Sequence, residues 1–495
     1  MKQKFTSSLL CLLLLLSIAL SGCRGKENDT PYSPTGTPKE SVILSSPTAT
    51  PKEIPSEAVN PKEDDTATNM ESHESKPDTD PKVIQIWTSY GNDMHFAMLK
   101  FKELYPDFGF EINISDYSLS EISYNRVLDP ALGSGEADVP DIYVSLSPDA
   151  VKYIKGEKYP YAATYEDLGL PVDTLLQEAS IADYMVDYGT NPEGKLVALG
   201  YQSTAAAFLY RRSIAKEVWG TDEPKIIRDT IGPGWDKFFE AAEALKSKGY
   251  GICSGHEDLW HAIRSSSDQA WIVDGKLYID PNREAFLDLS KRMIDNQYTN
   301  NTRMWREEWF GDMQDAGDKK IFGFFAPSWL ISYVVKNNCG GEAVGNGTFG
   351  DWAVCEPPAG FFWSGTYVFA NKDTKYKEAV GEIIKWMTLD TSETGFQYLW
   401  ANGIMNNGIR DTVPSETVME KSDGSLDILG GQNQFDVYIP AAKYANGNQA
   451  TQYDDEIDFH WLNEVYEYIS GNKTREQAIA DFKQEVEEHL GFKAE

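Results

Sequence analysis

Among the side chains able to do chemistry in this 495-residue sequence, thirteen tryptophans and 77 acidic residues stand out. An indole ring offers an apolar surface on which the C–H face of a pyranose packs, while carboxylates and amides bond to vicinal hydroxyls. Trp87, Trp260, Trp329, Trp363 and Trp461 fall at expected loop or strand-end positions on which a cleft would draw. Core packing is the alternative for each. His261 and Arg264, beside Trp260, either contribute hydrogen bonds or brace a loop. Signatures of catalysis are missing: there is no H-E-x-x-H, C-x-x-C or G-x-S-x-G, and the six histidines lack metal-ligand spacing. A glycoside hydrolase would need two carboxylates roughly 5 to 9.5 Å apart, and no recognisable element places such a pair. Gly345 to Gly350 matches G-x-G-x-x-G, but a strand rather than a helix is expected after it, so it reads as a turn. No catalytic residue, metal or cofactor is expected.

The net charge of −32 argues against nucleic acid, which needs a basic footprint, and disfavours anionic ligands. Lys2 and Lys4 precede an apolar run from Leu9 to Leu20, too short to span a bilayer but suited to a secretory signal over residues 1–22. The run ends in Leu20-Ser21-Gly22-Cys23, which resembles the lipobox of bacterial lipoproteins, so lipidation of Cys23 and a membrane anchor are expected. Residues up to 81 are rich in Pro, Thr, Ser, Glu and Lys and read as a disordered tether. At ~3.1 Å per residue such a tether reaches on the order of 170 Å. Of the remaining cysteines, Cys339 and Cys355 form one disulfide or, with Cys253, stay as free thiols.

The elements that must position these residues alternate between strand and helix. Strands are expected at Val83–Trp87, Ile142–Val144, Ala206–Tyr210, Ile321–Phe325, Trp352–Cys355 and Tyr367–Ala370. Helices are expected at Met94 to Leu104, at Trp235 to Lys248 ending on Gly249, at Tyr376 to Met387, and from a Thr474/Gln477 capping box onward. The class is α/β, and roughly 410 residues after the tether imply two lobes.

Six segments, in order, resemble extracellular solute-binding protein family 1, the maltose-binding-protein-like receptors of ABC importers. They are the strand into Trp87, Gly135 to Ile142, Leu209 to Arg212, Trp235 through Ile252, Gly323 to Trp329, and Phe362 to Thr366. The resemblance implies a periplasmic-binding-protein-like (type II) fold with a hinge between lobes and crossings near Ala206, Gly365 and Met405. Residues 82–205 with 366–405 would form one lobe, and 206–365 with 406–495 the other. It further implies that Trp329 and Trp363 face the ligand, that Asp149 binds sugar, and that Gln202, which with Ser203 precedes the first crossing, is a ligand-binding residue as well. Asp141 is expected to brace a strand end. The expected partners are a carbohydrate and ABC permease subunits, with closure acting by population shift. A surface-displayed polysaccharide-binding adhesin and a secreted glycoside hydrolase are the rival readings.

Overall fold

The computed structural model of the chain describes residues 82–120, 122–136, 138–147 and 149–494. The expected signal segment, Cys23 and the tether lie outside the described residues. Eight strands build the two main sheets: β1 (Val83–Thr88), β2 (Glu111–Asp116), β3 (Ile142–Leu146), β4 (Ala198–Gly200), β5 (Ala206–Arg211), β6 (Gly323–Pro327), β7 (Trp352–Cys355) and β8 (Thr366–Ala370).

In β1 the residues alternate, with Ile84, Ile86 and Thr88 fully buried and Val83, Gln85 and Trp87 half-buried. That period of two turns one face of the strand to a core. The following helix, Gly91–Leu104, lays Met94, Ala97, Met98 and Phe101 in one buried stripe. The first sheet has the order β2-β1-β3-β8-β4, with β1 parallel to β2 and β3, and β8 antiparallel to β3 and β4. A strand from late in the chain thus completes the first lobe.

The second lobe is built on the antiparallel sheet β6-β5-β7. All six residues of β5 are buried. Ala206, Phe208 and Tyr210 join a cluster with Phe238 and Phe482, and Ala207 and Leu209 join another with Trp309, Phe324 and Trp352. A sheet covered on both faces requires such an unbroken apolar run. Cys355 belongs to the first of these clusters and Cys339 to the second, so the sheet separates them and all three described cysteines are free and buried. The capping box at Thr474 forms: its hydroxyl accepts from Gln477 N at 3.2 Å, and Gln477 Oε1 accepts from Thr474 N at 2.9 Å.

Segment 406–495, expected wholly in the second lobe, contributes to both. Val413, Val418, Met419 and Phe435 pack into the first lobe's cluster, while Ile428, Leu429 and Tyr438 pack into the second. Hydrogen bonds fix this division: Ser415 Oγ donates to Ala179 O at 2.5 Å, and Ser415 N donates to Gln397 Oε1 at 2.9 Å.

Two passages of chain cross between lobes side by side, and a third segment lies against them. Trp363 N donates to Thr204 O at 3.0 Å and Ala206 N to Phe361 O at 2.9 Å, which pairs the first two. The third segment, Asp411–Thr412, stays with the first lobe, whose cluster takes Met405 before it and Val413, Val418 and Met419 after it, so the chain passes to the second lobe between Met419 and Ile428 rather than near Met405. Ser203 N donates to Thr412 O at 3.2 Å, and Thr412 Oγ1 donates to Ser203 O at 2.7 Å. Tyr184 Oη accepts from the backbone N–H groups of both Thr204 and Ala205, each at 2.9 Å. With both lone pairs taken, its proton goes to Ser203 Oγ, 3.0 Å away.

Asp411 sits at the middle of this junction with no exposed surface. Its carboxylate accepts from Gln202 Nε2, Ser328 Oγ and Thr412 N. Burial pushes it up to about 6, against the pull of those donors. Between pH ~4 and ~6 the folded chain therefore holds a proton that the unfolded chain has released, so this group's contribution to stability falls as pH rises through that window. Asp411→Asn removes the titration. The destabilisation it causes is expected to be greater at pH 4 than at pH 7, by up to about 3 kcal/mol, when denaturant unfolding of the two proteins is compared. A difference independent of pH would refute this.

Candidate functional site

A cavity of about 250 Å³ lies between the lobes. The first lobe contributes Ser147, just past β3, and Tyr188, from the helix Asp183–Gly189. Tyr188 Oη donates to Ser147 Oγ at 2.8 Å, which fixes that wall. The second lobe contributes His261 and Arg264 from the helix Trp260–Ser265, Arg283 from the helix Pro281–Asp295, and Asp454 and Asp455 from the first turn of the helix Asp454–Ile469. The crossing segment Phe362, Trp363 and Ser364 forms the floor common to both. Ser364 takes a left-handed conformation, with φ of 68°, and its carbonyl accepts from Thr204 Oγ1 at 2.7 Å, so the floor is tied to the hinge.

Charge in the cavity is distributed unevenly. Arg264 donates to Asp458 Oδ2 at 2.8 Å and Asp454 Oδ2 at 3.2 Å, and Trp271 Nε1 donates to Asp458 Oδ1 at 2.7 Å. Burial and the Arg264 charge push His261 down to about 3, so its ring is neutral and lies on Trp363 with centroids 4.0 Å apart. Enclosure pushes Asp455 up to about 6; Asp458, Asp454 and, from the first lobe, Asp149 add to the rise against the pull of Arg264. Among the described residues no group of three or more His, Cys, Asp or Glu suits a metal ion.

Adjoining the cavity through Trp363 is a cluster of three indoles. Trp329 and Trp363 meet at 69° with centroids 5.1 Å apart, and Trp329 Nε1 donates to Trp363 O at 3.2 Å. Trp305 is parallel to Trp329 within 3°, with centroids 6.3 Å apart, and is 48% exposed. The loop that carries Trp305 is clamped by carboxylates. Glu257 accepts from Arg303 Nε and Met304 N, each at 2.9 Å, and Asp312 accepts from Thr302 Oγ1 at 3.0 Å and Asn300 Nδ2 at 2.6 Å. Trp309 Nε1 donates to Asp258 beneath it at 3.0 Å.

Sequence reasoning missed Trp305, although the charged neighbours Arg303, Arg306, Glu307 and Glu308 mark its segment as surface. Trp329 and Trp363, which the resemblance places toward the ligand, both fall in this cluster. Asp149 is exposed at the start of a short helix, without a side-chain capping bond, and is absent from the cavity wall. Gln202 is a hinge residue bonded to Asp411 rather than a cavity wall. Trp87 packs on Tyr117 at 5.5 Å, and its carbonyl accepts from Tyr124 Oη at 2.9 Å; it is absent from the cavity wall. Asp141 braces the sheet as expected, accepting from Gln85 N at 2.9 Å and Thr374 Oγ1 at 2.5 Å.

Two expectations are corrected outright. Trp260 is 3% exposed and packs on Phe286 at 5.0 Å, and Trp461 is fully buried between Trp271 and Phe482. Neither offers a face to a ligand, because helices that begin at Trp260 and Asp454 turn them into the second lobe's core. Trp461→Ala is therefore expected to cost about 3 to 5 kcal/mol of stability, whereas Trp305→Ala stays within about 0.5 kcal/mol of wild type. Equal unfolding midpoints for the two variants would contradict this assignment.

The family model for bacterial extracellular solute-binding proteins matches residues 98–417. No curated protein matches the sequence. Among solved structures, an extracellular solute-binding protein of family 1 superposes with a TM-score of 0.66 at 16% identity, covering 82% of this chain and 99% of that one. The sugar-binding protein MalE from Xanthomonas citri gives 0.62 at 13%, covering 83% and 98%. The galacto-N-biose/lacto-N-biose I-binding protein of the ABC transporter from Bifidobacterium longum, in complex with lacto-N-biose, gives 0.57 at 12%, covering 84% and 99%. With the family model covering well over half of its length, the chain belongs to the bacterial extracellular solute-binding proteins.

Proposed function

We propose that this protein is a receptor that captures a mono- or oligosaccharide between its lobes and delivers it to an ABC importer, held at the outer face of the membrane by a lipid on Cys23. It is a binding protein and not an enzyme. The observation that carries the reading is the position of the indole cluster: Trp363 belongs at once to the inter-lobe cavity wall and to the group with Trp305 and Trp329. Stacking rings beside a polar cavity is the combination a sugar needs, with apolar C–H faces on one side and hydroxyls on the other. The Xanthomonas citri and Bifidobacterium longum proteins, a sugar-binding protein and one seen with lacto-N-biose, support the same class of ligand. Leu20-Ser21-Gly22-Cys23 and the polar stretch after it support the anchor and tether. A permease would recognise the closed form, in which both lobes present their surfaces in fixed register.

Trp87, Asp149, Gln202, Trp260, Trp329, Trp363 and Trp461 came from the sequence as ligand residues; the proposal retains Asp149, Trp329 and Trp363 and adds Trp305. Shifting a hinged pair of lobes from mostly open to mostly closed requires about 5.5 kcal/mol of differential affinity. Two stacked rings with several enclosed hydrogen bonds supply free energy of that order. Calorimetric titration with a panel of mono- and disaccharides is expected to give binding for at least one sugar. For that sugar, Trp305→Ala, Trp329→Ala and Trp363→Ala should each weaken affinity more than about tenfold, equivalent to about 1.4 kcal/mol, with far-ultraviolet circular dichroism unchanged. Binding of amino acids or peptides with no heat from any sugar would overturn the proposal.

A further inference from the structure

The cavity and the indole cluster differ in chemistry, and Trp363 is where they join. The cavity gathers groups that bond to hydroxyls: the neutral ring of His261, the Asp455 carboxylate, the amides of Asn446 and Gln449, and Ser147 Oγ. That serine accepts from Tyr188 Oη at 2.8 Å and keeps its own proton to give. Tyr188, Phe362 and Trp363 also line the cavity, but each already has a ring stacked on it: Tyr367, Tyr184 and His261 respectively. Apolar ring surface is thus largely spent where the polar groups are densest.

Open ring surface lies beyond Trp363. Trp305 and Trp329 meet it at 67° and 69°, with centroids 5.8 and 5.1 Å away, and neither lines the cavity. Their planes agree within 3° and their centroids are 6.3 Å apart. Parallel rings in contact lie about 3.5 Å apart plane to plane, so these two are displaced sideways by about 5 Å. They form a stepped shelf, with Trp305 48% exposed and Trp329 half-buried.

Size separates the two compartments further. The cavity of about 250 Å³ falls below the roughly 300 to 1,000 Å³ that encloses a drug-sized ligand, so it has room for a single pyranose. A monosaccharide can take the cavity or the shelf, and in either place it forgoes what the other offers. Two linked pyranoses use both.

We propose that the ligand is an oligosaccharide of at least two residues held end-on, with its terminal pyranose bonded to His261, Asp455 and Ser147 in the cavity and the next residue stacked on Trp305 and Trp329 across the rim of Trp363. This rests on the sugar-receptor reading above and narrows it to chains over single sugars. The sideways step between the two indoles is about the step between neighbouring rings of an extended sugar chain. The enclosed end selects by hydroxyl pattern, and the shelf selects by length.

Calorimetric titration of the whole mature chain tests this by comparing each monosaccharide with its own disaccharides: glucose with maltose and cellobiose, galactose with galactobiose, mannose with mannobiose, and xylose with xylobiose. At least one disaccharide is expected to bind about tenfold or more tightly than its monosaccharide, the gain from one further stacked ring. Trp305→Ala should cost the disaccharide more than the monosaccharide and bring their ratio within about threefold. Asp455→Asn, inside the cavity, should weaken both by a similar factor and keep the ratio. Circular dichroism and unfolding midpoints of both variants serve as folding controls. A monosaccharide that binds as tightly as its disaccharides, a ratio that Trp305→Ala leaves in place, or one that Asp455→Asn lowers equally, overturns this inference and leaves the sugar receptor standing. Heat from amino acids or peptides with none from any sugar overturns both.

Discussion

The molecule depends on the hydrogen-bonded junction at which two passages of chain cross between lobes beside the segment Asp411–Thr412. Tyr184 Oη accepts from two consecutive backbone N–H groups of the first crossing, and Thr412 exchanges bonds with Ser203 of the same crossing. A segment that leaves one core before entering another carries backbone groups that neither sheet can satisfy. Pairing the crossings with each other, and capping them with a buried phenol, solves that problem without a shared hydrophobic core. The lobes can then keep separate cores and still hold a fixed register. Asp411 adds a cost, since a carboxylate without exposed surface is tolerated there only because three donors converge on it.

The site inherits its geometry from the same junction. Phe362, Trp363 and Ser364 belong to the second crossing and also form the cavity floor, so any rotation at the crossings moves the wall on which a ligand would rest. The Trp305 loop, by contrast, is fixed to the second lobe by Glu257 and Asp312 and would travel with it as a rigid piece. On the proposed function, closure and stacking would be a single event, with a ligand's differential affinity for the closed form arising where the rings meet.

Much of this was legible in the chain because it rests on local rules. The unbroken apolar run Ala206 to Tyr210 reads as a strand covered on both faces, and Thr474 with Gln477 reads as a helix start. Trp329 and Trp363 were found because their surrounding segments resemble those of a known family. Trp461 was misjudged because it lies in the middle of the acidic helix Asp454–Ile469, where a run of Asp and Glu hides the buried stripe of Ile457, Trp461 and Val465. Gln202 was read as a ligand contact when its partner is Asp411, more than 200 residues away. No local pattern encodes such a pair. For the same reason Arg410-Asp411-Thr412 looks like any polar turn, although it is bonded to the first crossing through Gln202 and Ser203.

The central claim is that ligand is captured by closure of two lobes about this junction. Small-angle X-ray scattering of the mature chain, with and without a saturating concentration of a sugar that gives heat on titration, tests it most directly. The account predicts a smaller radius of gyration and a shorter maximum dimension for the folded region on binding. An unchanged scattering profile at saturation would contradict it.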